Sequence, residues 1–541
     1  MICCSGKKKN IQWRVIFYTL LFGFICLISQ RVHTAAPPDG WAKSFRDMLG
    51  FPIAALILSH YKWEDLKKYK RYHSIWGIAG GIGCIVLFMC GKNTVAYIHD
   101  WFVIVAEIFV WGFVLIQTLF TVFKEKIRPS FNKGITAVWV VMMLWMVVSR
   151  SDEMWPLPYL VVFLCFYLTD FSKQEKKQFF QGILNGIIVS FFVFQAHCFL
   201  YRPYDEVRYK GWFTNSNSNS LYYCFVLAAV LVKLYMCYQK SEGKWWRIYY
   251  WLGVGTVFSF EIMTIGRIGW ITAFVLAFLF LVFQKRNFGK SIIKNGIIII
   301  LCTCLTFPLC FGAARYIPPL RHHVYWFYGE RSEEKVHSWD KWDSEKFVDI
   351  DEFGDAALGR ISQSLGELWK HMPFVVETHA AALEDREIPV LDEQQGRDSL
   401  LVRTTIYRTF WEGLNFTGHN SEEIGFQLTE TFWVYHAHNI YLQFGTQFGI
   451  PVMVMFVILI AASLRKCWMD FKRTHSVETL GYGYFILIPA LFGLLEYTWG
   501  AGHMAITLLF IAWRMVLVKD KDAEDSRQCI VNFEGEEQNN E

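Results

Sequence analysis

Two imidazoles stand two residues apart in His436-Ala437-His438-Asn439, where a long acidic stretch runs into an apolar one. Imidazole is the side chain best suited to move a proton near neutral pH. After Asn439 come nine residues and then Gly449. On a helix the two rings would diverge by about 200°, which disfavours a shared metal ion. One of the pair is expected to work and the other to be its neighbour. The chemistry suggested is proton transfer on a substrate carried at a membrane surface.

The cations come next. Arg267, in Thr-Ile-Gly-Arg-Ile-Gly-Trp, lies between two apolar runs with almost no linker. A charge at that depth is costly unless it is paired or functional. It either snorkels to the interface or offers its planar fork to a phosphate. Residues 201–220, YRPYDEVRYKGWFTNSNSNS, crowd Arg208 and Lys210 against a Gly-Trp-Phe turn and an Asn/Ser run containing Asn217. The Asn and Ser side chains could cap the next helix. They could also bind sugar hydroxyls, with Trp212 or Phe213 stacked on a sugar face. Arg360 and Arg403 each sit in an amphipathic stretch, where a solvated salt bridge is the default. Asp355, Glu367, Glu412, Glu423 and Glu430 are available partners.

These residues must be positioned by a chain that is 54% hydrophobic and 18% aromatic, with a mean hydropathy of +0.25. Soluble domains hold about 45–50% apolar residues even when glycine is counted. Apolar runs recur along nearly the whole length, each long enough to cross a hydrocarbon layer of about 30 Å. The alternation of a membrane barrel is absent. The expected fold is all-α, a polytopic membrane protein of about 14 transmembrane helices. The expected spans are 12–30, 47–61, 74–91, 102–123, 135–149, 155–171, 180–200, 221–238, 248–265, 268–284, 296–313, 440–463, 478–497 and 503–518.

Charge orients this array. Lys7, Lys8 and Lys9 precede the first span, so the N-terminus is expected inside. Every second connection is then basic: 62–73, 124–133, 172–178, 239–247, 284–290 and 465–473. An even count puts the C-terminus inside too, beside Lys519 and Lys521. The first span resembles a signal sequence with Thr34-Ala35-Ala36 as a cleavage site, but it reads better as a retained helix. Residues 519–541 form a polar, acidic cytoplasmic tail, expected to be disordered.

Three units follow along the chain before that tail. Residues 1–313 form an N-terminal bundle, 314–437 an extracytoplasmic loop, and 438–518 the C-terminal helices. Between residues 320 and 437 lie 22 acidic and 11 basic residues, so the loop is strongly negative. It contains no cysteine, which argues against a disulfide-stapled domain. No Cys/His cluster has zinc spacing. The richest acidic part, 331–355, reads as solvent-exposed. Residues 358–370 and 400–413 carry apolar positions at helical spacing and are expected to be amphipathic helices.

In their order these pieces resemble the O-antigen ligase/polymerase family of bacterial envelope glycan assembly. The family ligase pattern has His, then Asn, Ser or Gln, nine residues, and Gly-x-x-(Gly, Thr or Tyr). Here His438-Asn439 leads to Gly449-Ile450-Pro451-Val452, and Val452 departs from the last position. The run GWFTNSNSNS, the TIGRIG start of a span, Gly359-Arg360, and Arg403 to Ile406 are also placed as in the family. The similarity covers roughly residues 200–465.

The resemblance implies a metal-independent, inverting glycosyltransferase without a cofactor, in a bacterial cytoplasmic membrane with both termini inside. The implied partners are an undecaprenyl-diphosphate-linked glycan, a glycan acceptor, the bilayer, and other glycan-assembly membrane proteins. Nucleic acid is not among them. It implies His438 as the base, Arg267 as a second catalytic residue on the leaving diphosphate, and Arg208 or Arg403 beside it. Substrate-binding roles fall to Arg208, Lys210, Asn217, Arg360, Arg403, His436 and Asn439. The absence of a Gly-rich phosphate loop agrees, because the donor already carries its leaving group.

The first rival is a transporter or flippase of lipid-linked saccharides. It would need charged or broken helices near the middle of the membrane. Most spans here are uncharged at their centres, with Glu261 and Glu496 as exceptions near outer ends. The second rival, a scaffold or sensor, leaves the His/Arg constellation unexplained.

Overall fold

The computed structural model describes residues 13–32, 50–90, 95–317, 350–370, 399–429, 432–496 and 504–519. Short gaps fall at 128–129, 132, 154, 200–203, 206, 212 and 214–215. Lys7 to Lys9, Thr34 to Ala36, most of the 331–355 stretch and the tail from 520 lie outside the described residues.

The described chain is mostly helical. Among the described residues, five helices are long and apolar enough to cross a membrane: Lys173–Cys198, Ser216–Gln239, Arg267–Phe288, Ile292–Arg315 and Ile450–Thr474. Shorter apolar helices occupy other expected spans, among them Trp13–Leu27, Gly134–Val148, Val477–Phe492 and Met504–Leu517.

Ser216–Gln239 is the axis of the bundle. It is buried on all sides and packs against Lys173–Cys198, Lys244–Met263, Arg267–Phe288 and Val477–Phe492. A helix that is apolar all round has no solvent face to keep, and the centre is where it fits. Helices before and after the acidic loop share this one core. Ile292–Tyr316 lies at the rim and exposes Ile300, Leu301, Leu305 and Leu309.

The helix Trp13–Val32 lies along Lys173–Cys198 on a glycine face. A Cβ added to Gly182 would fall 2.2 Å from the Cβ of Tyr18, and one on Gly186 2.8 Å from the backbone nitrogen of Gly23. Small residues four apart let two helix backbones touch, which favours close packing in a bilayer.

Among the described residues, contacts between connections fall into two sets. At one end of the bundle, Arg14 pairs with Glu175 at 2.6 Å, and Tyr69 donates to Glu125 at 2.8 Å. Ser130–Phe131 pairs antiparallel with Val518–Lys519 at the same end. At the other end, the backbone N–H of Arg150 donates to Thr417 (3.0 Å), and Arg208 meets Thr264.

One expectation is corrected. The single span at 440–463 is two helices, Ile440–Phe448 and Ile450–Thr474, broken at Gly449 with φ +97°. Both halves are apolar, so hydropathy runs through the break. The acidic stretch, expected to be mainly helical, holds both helices and strands among its described residues. Its helices Ile350–Lys370 and Ser399–Glu412 are followed by an antiparallel hairpin of Phe426–Thr429 with Phe432–Val434. That hairpin shares a small core with Ile406, Phe410, Ala437 and Leu442. The longer helix docks by Phe353, whose ring lies 5.8 Å from Phe307 and 5.6 Å from Phe311.

Candidate functional site

The site is built around the corner at His438. Asn439 caps the short helix Ile440–Phe448: its Oδ1 accepts from the backbone N–H of Tyr441 (2.9 Å) and Leu442 (3.0 Å). Its Nδ2 donates to the carbonyl of Leu494 at 2.9 Å. The side chain of Asn439 is thus occupied in shaping the corner. His438, just before it, has φ +48°, the left-handed region. A residue with a Cβ held there stores about 1–3 kcal/mol of strain and needs its surroundings to hold it. Tyr407 supplies one hold, with its hydroxyl 3.3 Å from the carbonyl of His438 and 3.4 Å from that of Leu494. Ile440 supplies another, donating its N–H to Gly493 at 2.8 Å. Gly493 has no room for a side chain, because an added Cβ would lie 2.3 Å from Cγ2 of Ile440.

These bonds staple the His438 corner onto the turn that carries Glu496. The Glu496 side chain is only 8% exposed. Its Oε2 lies 3.5 Å from Nδ1 of His438. Its Oε1 receives Nη2 of Arg403 at 3.4 Å and also Nδ2 of Asn217. Asn217 in turn accepts from Nη2 of Arg208 at 2.7 Å, and Nε of Arg208 donates to the carbonyl of Thr264 at 3.0 Å. A continuous polar path therefore runs from the turn before Arg267 to the imidazole.

Four residues singled out from sequence, Arg208, Asn217, Arg403 and His438, meet through Glu496. Sequence reasoning saw Glu496 only as a charge near a span end. The signal was present in its position, a lone acid after a long apolar run.

His436 requires a correction. Its ring does not point away from His438; the centroids are 4.3 Å apart with the planes at 87°. The helical estimate of divergence did not apply, because neither residue is helical. The left-handed backbone at His438 turns the chain so that the two rings meet. Burial, and then the nearby charge of His438, lowers the pKa of His436 from its ordinary value of 6.5.

Arg267 is the first residue of the helix Arg267–Phe288 and is half-buried. Ile265, just before it, has φ +50°, unusual for a β-branched residue. Thr264 Oγ1 accepts from the N–H of Gly266 at 3.1 Å and pins this turn. Gly269 is closely packed, since a Cβ would fall 1.6 Å from Ser220 Oγ and 2.0 Å from Glu261 Oε1. The turn before Arg267 meets the cluster at the Thr264 carbonyl, which accepts from Arg208.

The remaining sequence candidates are spread more widely. Lys210 is half-buried, and its carbonyl accepts from the N–H of Phe213 at 3.2 Å. Phe213 is not open for sugar stacking: it is 3% exposed and packs on Phe194, with ring centroids 5.8 Å apart. Trp212 and Glu430 lie outside the described residues. Arg360 sits half-buried on Ile350–Lys370, and no described contact joins it to Glu496. Glu423 pairs with Arg150 at 3.0 Å, and Glu412 with Arg408 at 2.9 Å.

An imidazole with one nitrogen on a carboxylate and the other directed elsewhere is suited to general-base work. Arginines on the same end of the bundle suit an anionic leaving group. Comparison of the chain with protein-family models, curated proteins and solved structures gives no match.

Proposed function

We propose that this chain is a membrane glycosyltransferase. It moves a glycan from undecaprenyl diphosphate to a sugar hydroxyl, as an O-antigen ligase or a polysaccharide polymerase does. The observation that carries the reading is the convergence of His438 with Glu496, Arg403, Asn217 and Arg208 at one end of an apolar bundle. On this reading that end is the outer face of a bacterial cytoplasmic membrane, the chain crosses about 14 times, and both termini are inside.

The step balances without a cofactor. His438 Nε2 takes the proton of the acceptor hydroxyl as its oxygen attacks the anomeric carbon. The bond from that carbon to the diphosphate oxygen breaks, and its electron pair leaves with undecaprenyl diphosphate. Attack opposite the leaving group inverts the anomeric centre. The imidazolium then gives its proton to water. General-base help is worth about 10²–10⁴-fold. Arg267 meets the developing diphosphate charge, and each such donor contributes about 3–4 kcal/mol.

The test is purified protein in lipid nanodiscs with a radiolabelled lipid-linked glycan and a sugar acceptor. Transfer without an ion gradient is expected. His438→Ala should cut turnover by about 10²-fold or more with the protein still folded, and His436→Ala should be milder. EDTA should not alter the rate. Wild-type transfer by His438→Ala, or its abolition by chelation, overturns the mechanism.

One observation favours a second reading. The helix broken at Gly449 is a feature of transporters. A transporter would move labelled lipid-linked glycan across sealed vesicles and form no new glycosidic bond.

A further inference from the structure

We infer that Glu496 is the positioning residue of the His438 imidazole, setting which ring nitrogen carries the proton. This rests on the proposed function above, with His438 as its base.

The argument starts from burial. Glu496 is 8% exposed on its side chain, so an ionised carboxylate there needs partners. It has them on both oxygens. Oε1 is taken by Arg403 (3.4 Å) and by Asn217, which Arg208 anchors from its far side at 2.7 Å. These donors occupy Oε1 and leave Oε2 beside Nδ1 of His438, at 3.5 Å. An ionised carboxylate can only accept, so Nδ1 must donate. A neutral imidazole has a single N–H. With it on Nδ1, the lone pair is on Nε2, the nitrogen the reaction needs.

The same carboxylate then faces the positive charge that develops when Nε2 takes the acceptor proton. Its contribution is therefore larger in the transition state than in the ground state, and should appear in kcat. The backbone agrees with this assignment. His438 is held in a left-handed conformation by Tyr407 and by the cap at Asn439. Its ring is held by Glu496 and by the edge-to-face contact with His436. Two independent restraints thus act on one side chain.

A carboxylate that merely tied three segments together would make the same contacts, and Glu496→Gln separates the two cases. The amide is of the same size and keeps one acceptor oxygen. Its NH2 can donate to Nδ1 and so favour the opposite tautomer. Histidine labelled with 15N reports the protonated nitrogen directly, and the His438 signal is assigned by its loss in His438→Ala. We expect Nδ1–H in the wild type and a shift towards Nε2–H in Glu496→Gln. We expect kcat to fall by about 10²-fold, well beyond any change in KM, in a protein that still folds. An Nε2–H wild type, an unchanged tautomer, or an unchanged kcat in an active protein overturns the inference. If the wild type transfers no glycan, the functional reading falls, and the 15N spectra still decide the role of Glu496.

Discussion

Gly418 and Gly449 bring two stretches of backbone into contact at the break in the apolar helix. A Cβ on Gly418 would lie 2.3 Å from the carbonyl oxygen of Gln447, and a Cβ on Gly449 would lie 2.2 Å from that of Phe416. Both have positive φ, +81° and +97°. The N–H of Ile450 completes the join by donating to Asn415 at 2.8 Å. Handedness and space therefore demand glycine together. Gly449→Ala should lose about 3 kcal/mol or more, seen as a drop in the melting midpoint in detergent. Gly243→Ala, with nothing within 4 Å of the new Cβ, is the tolerant control. Equal midpoints for the two variants would refute the account of the break.

Arg267→Lys keeps the charge and loses the planar fork. On the proposed reading it should lose most transfer activity, because a point charge cannot grip a diphosphate bidentately. The measurement is kcat/KM for the lipid-linked donor. Near-normal transfer by the lysine variant returns Arg267 to a snorkelling role.

Tyr407→Phe removes the hydroxyl shared by the carbonyls of His438 and Leu494. A neutral hydrogen bond is worth about 0.5–1.5 kcal/mol net. The variant should fold, and turnover should fall several-fold as the left-handed corner loosens. A variant as fast as the wild type would show that the corner holds without it.

His436 gives the corner a pH dependence. Its pKa is lowered in the fold, mainly by burial. The unfolded segment then binds the proton more readily than the folded one. The stabilisation is present above the ordinary value of 6.5 and is lost as pH falls below it. Hydrogen exchange over residues 432–440, corrected for intrinsic rates, should show more frequent opening at pH 5 than at pH 8. His436→Gln should flatten that difference, and an equal response in both proteins would remove His436 as its source.

Orientation can be read from labelling in a cysteine-free background. Glu345→Cys should react with an impermeant thiol reagent on intact cells, and Arg128→Cys only after permeabilisation. The opposite pattern would place the His438 end inside and remove the proposed donor side.

The helices were legible because burial in a bundle writes apolar runs into the sequence, and Ser216–Gln239 is the plainest case. The amphipathic helices near 358–370 and 400–413 were legible from their spacing, although the first begins earlier, at Ile350. The break at Gly449 was hidden, because Ile440–Phe448 and Ile450–Thr474 are both apolar. Only the glycine followed by Pro451 marked a new helix start. The meeting of His436 and His438 was hidden by the left-handed backbone at His438, which histidine does not advertise. Glu496 was visible as a charge, but its partners come from three distant segments, and no local pattern brings them together.

The glycine face that joins Trp13–Val32 to Lys173–Cys198 has a consequence for biosynthesis. Arg14 and Glu175, which close that pair, are 161 residues apart. At about 5–20 residues per second, Trp13–Val32 waits roughly 8–30 s for its partner. During that wait Tyr18 and Phe22 have no glycine face to cover. Trp13–Val32 is thus among the helices whose packing is settled late, and delayed synthesis of the intervening segments prolongs its exposure.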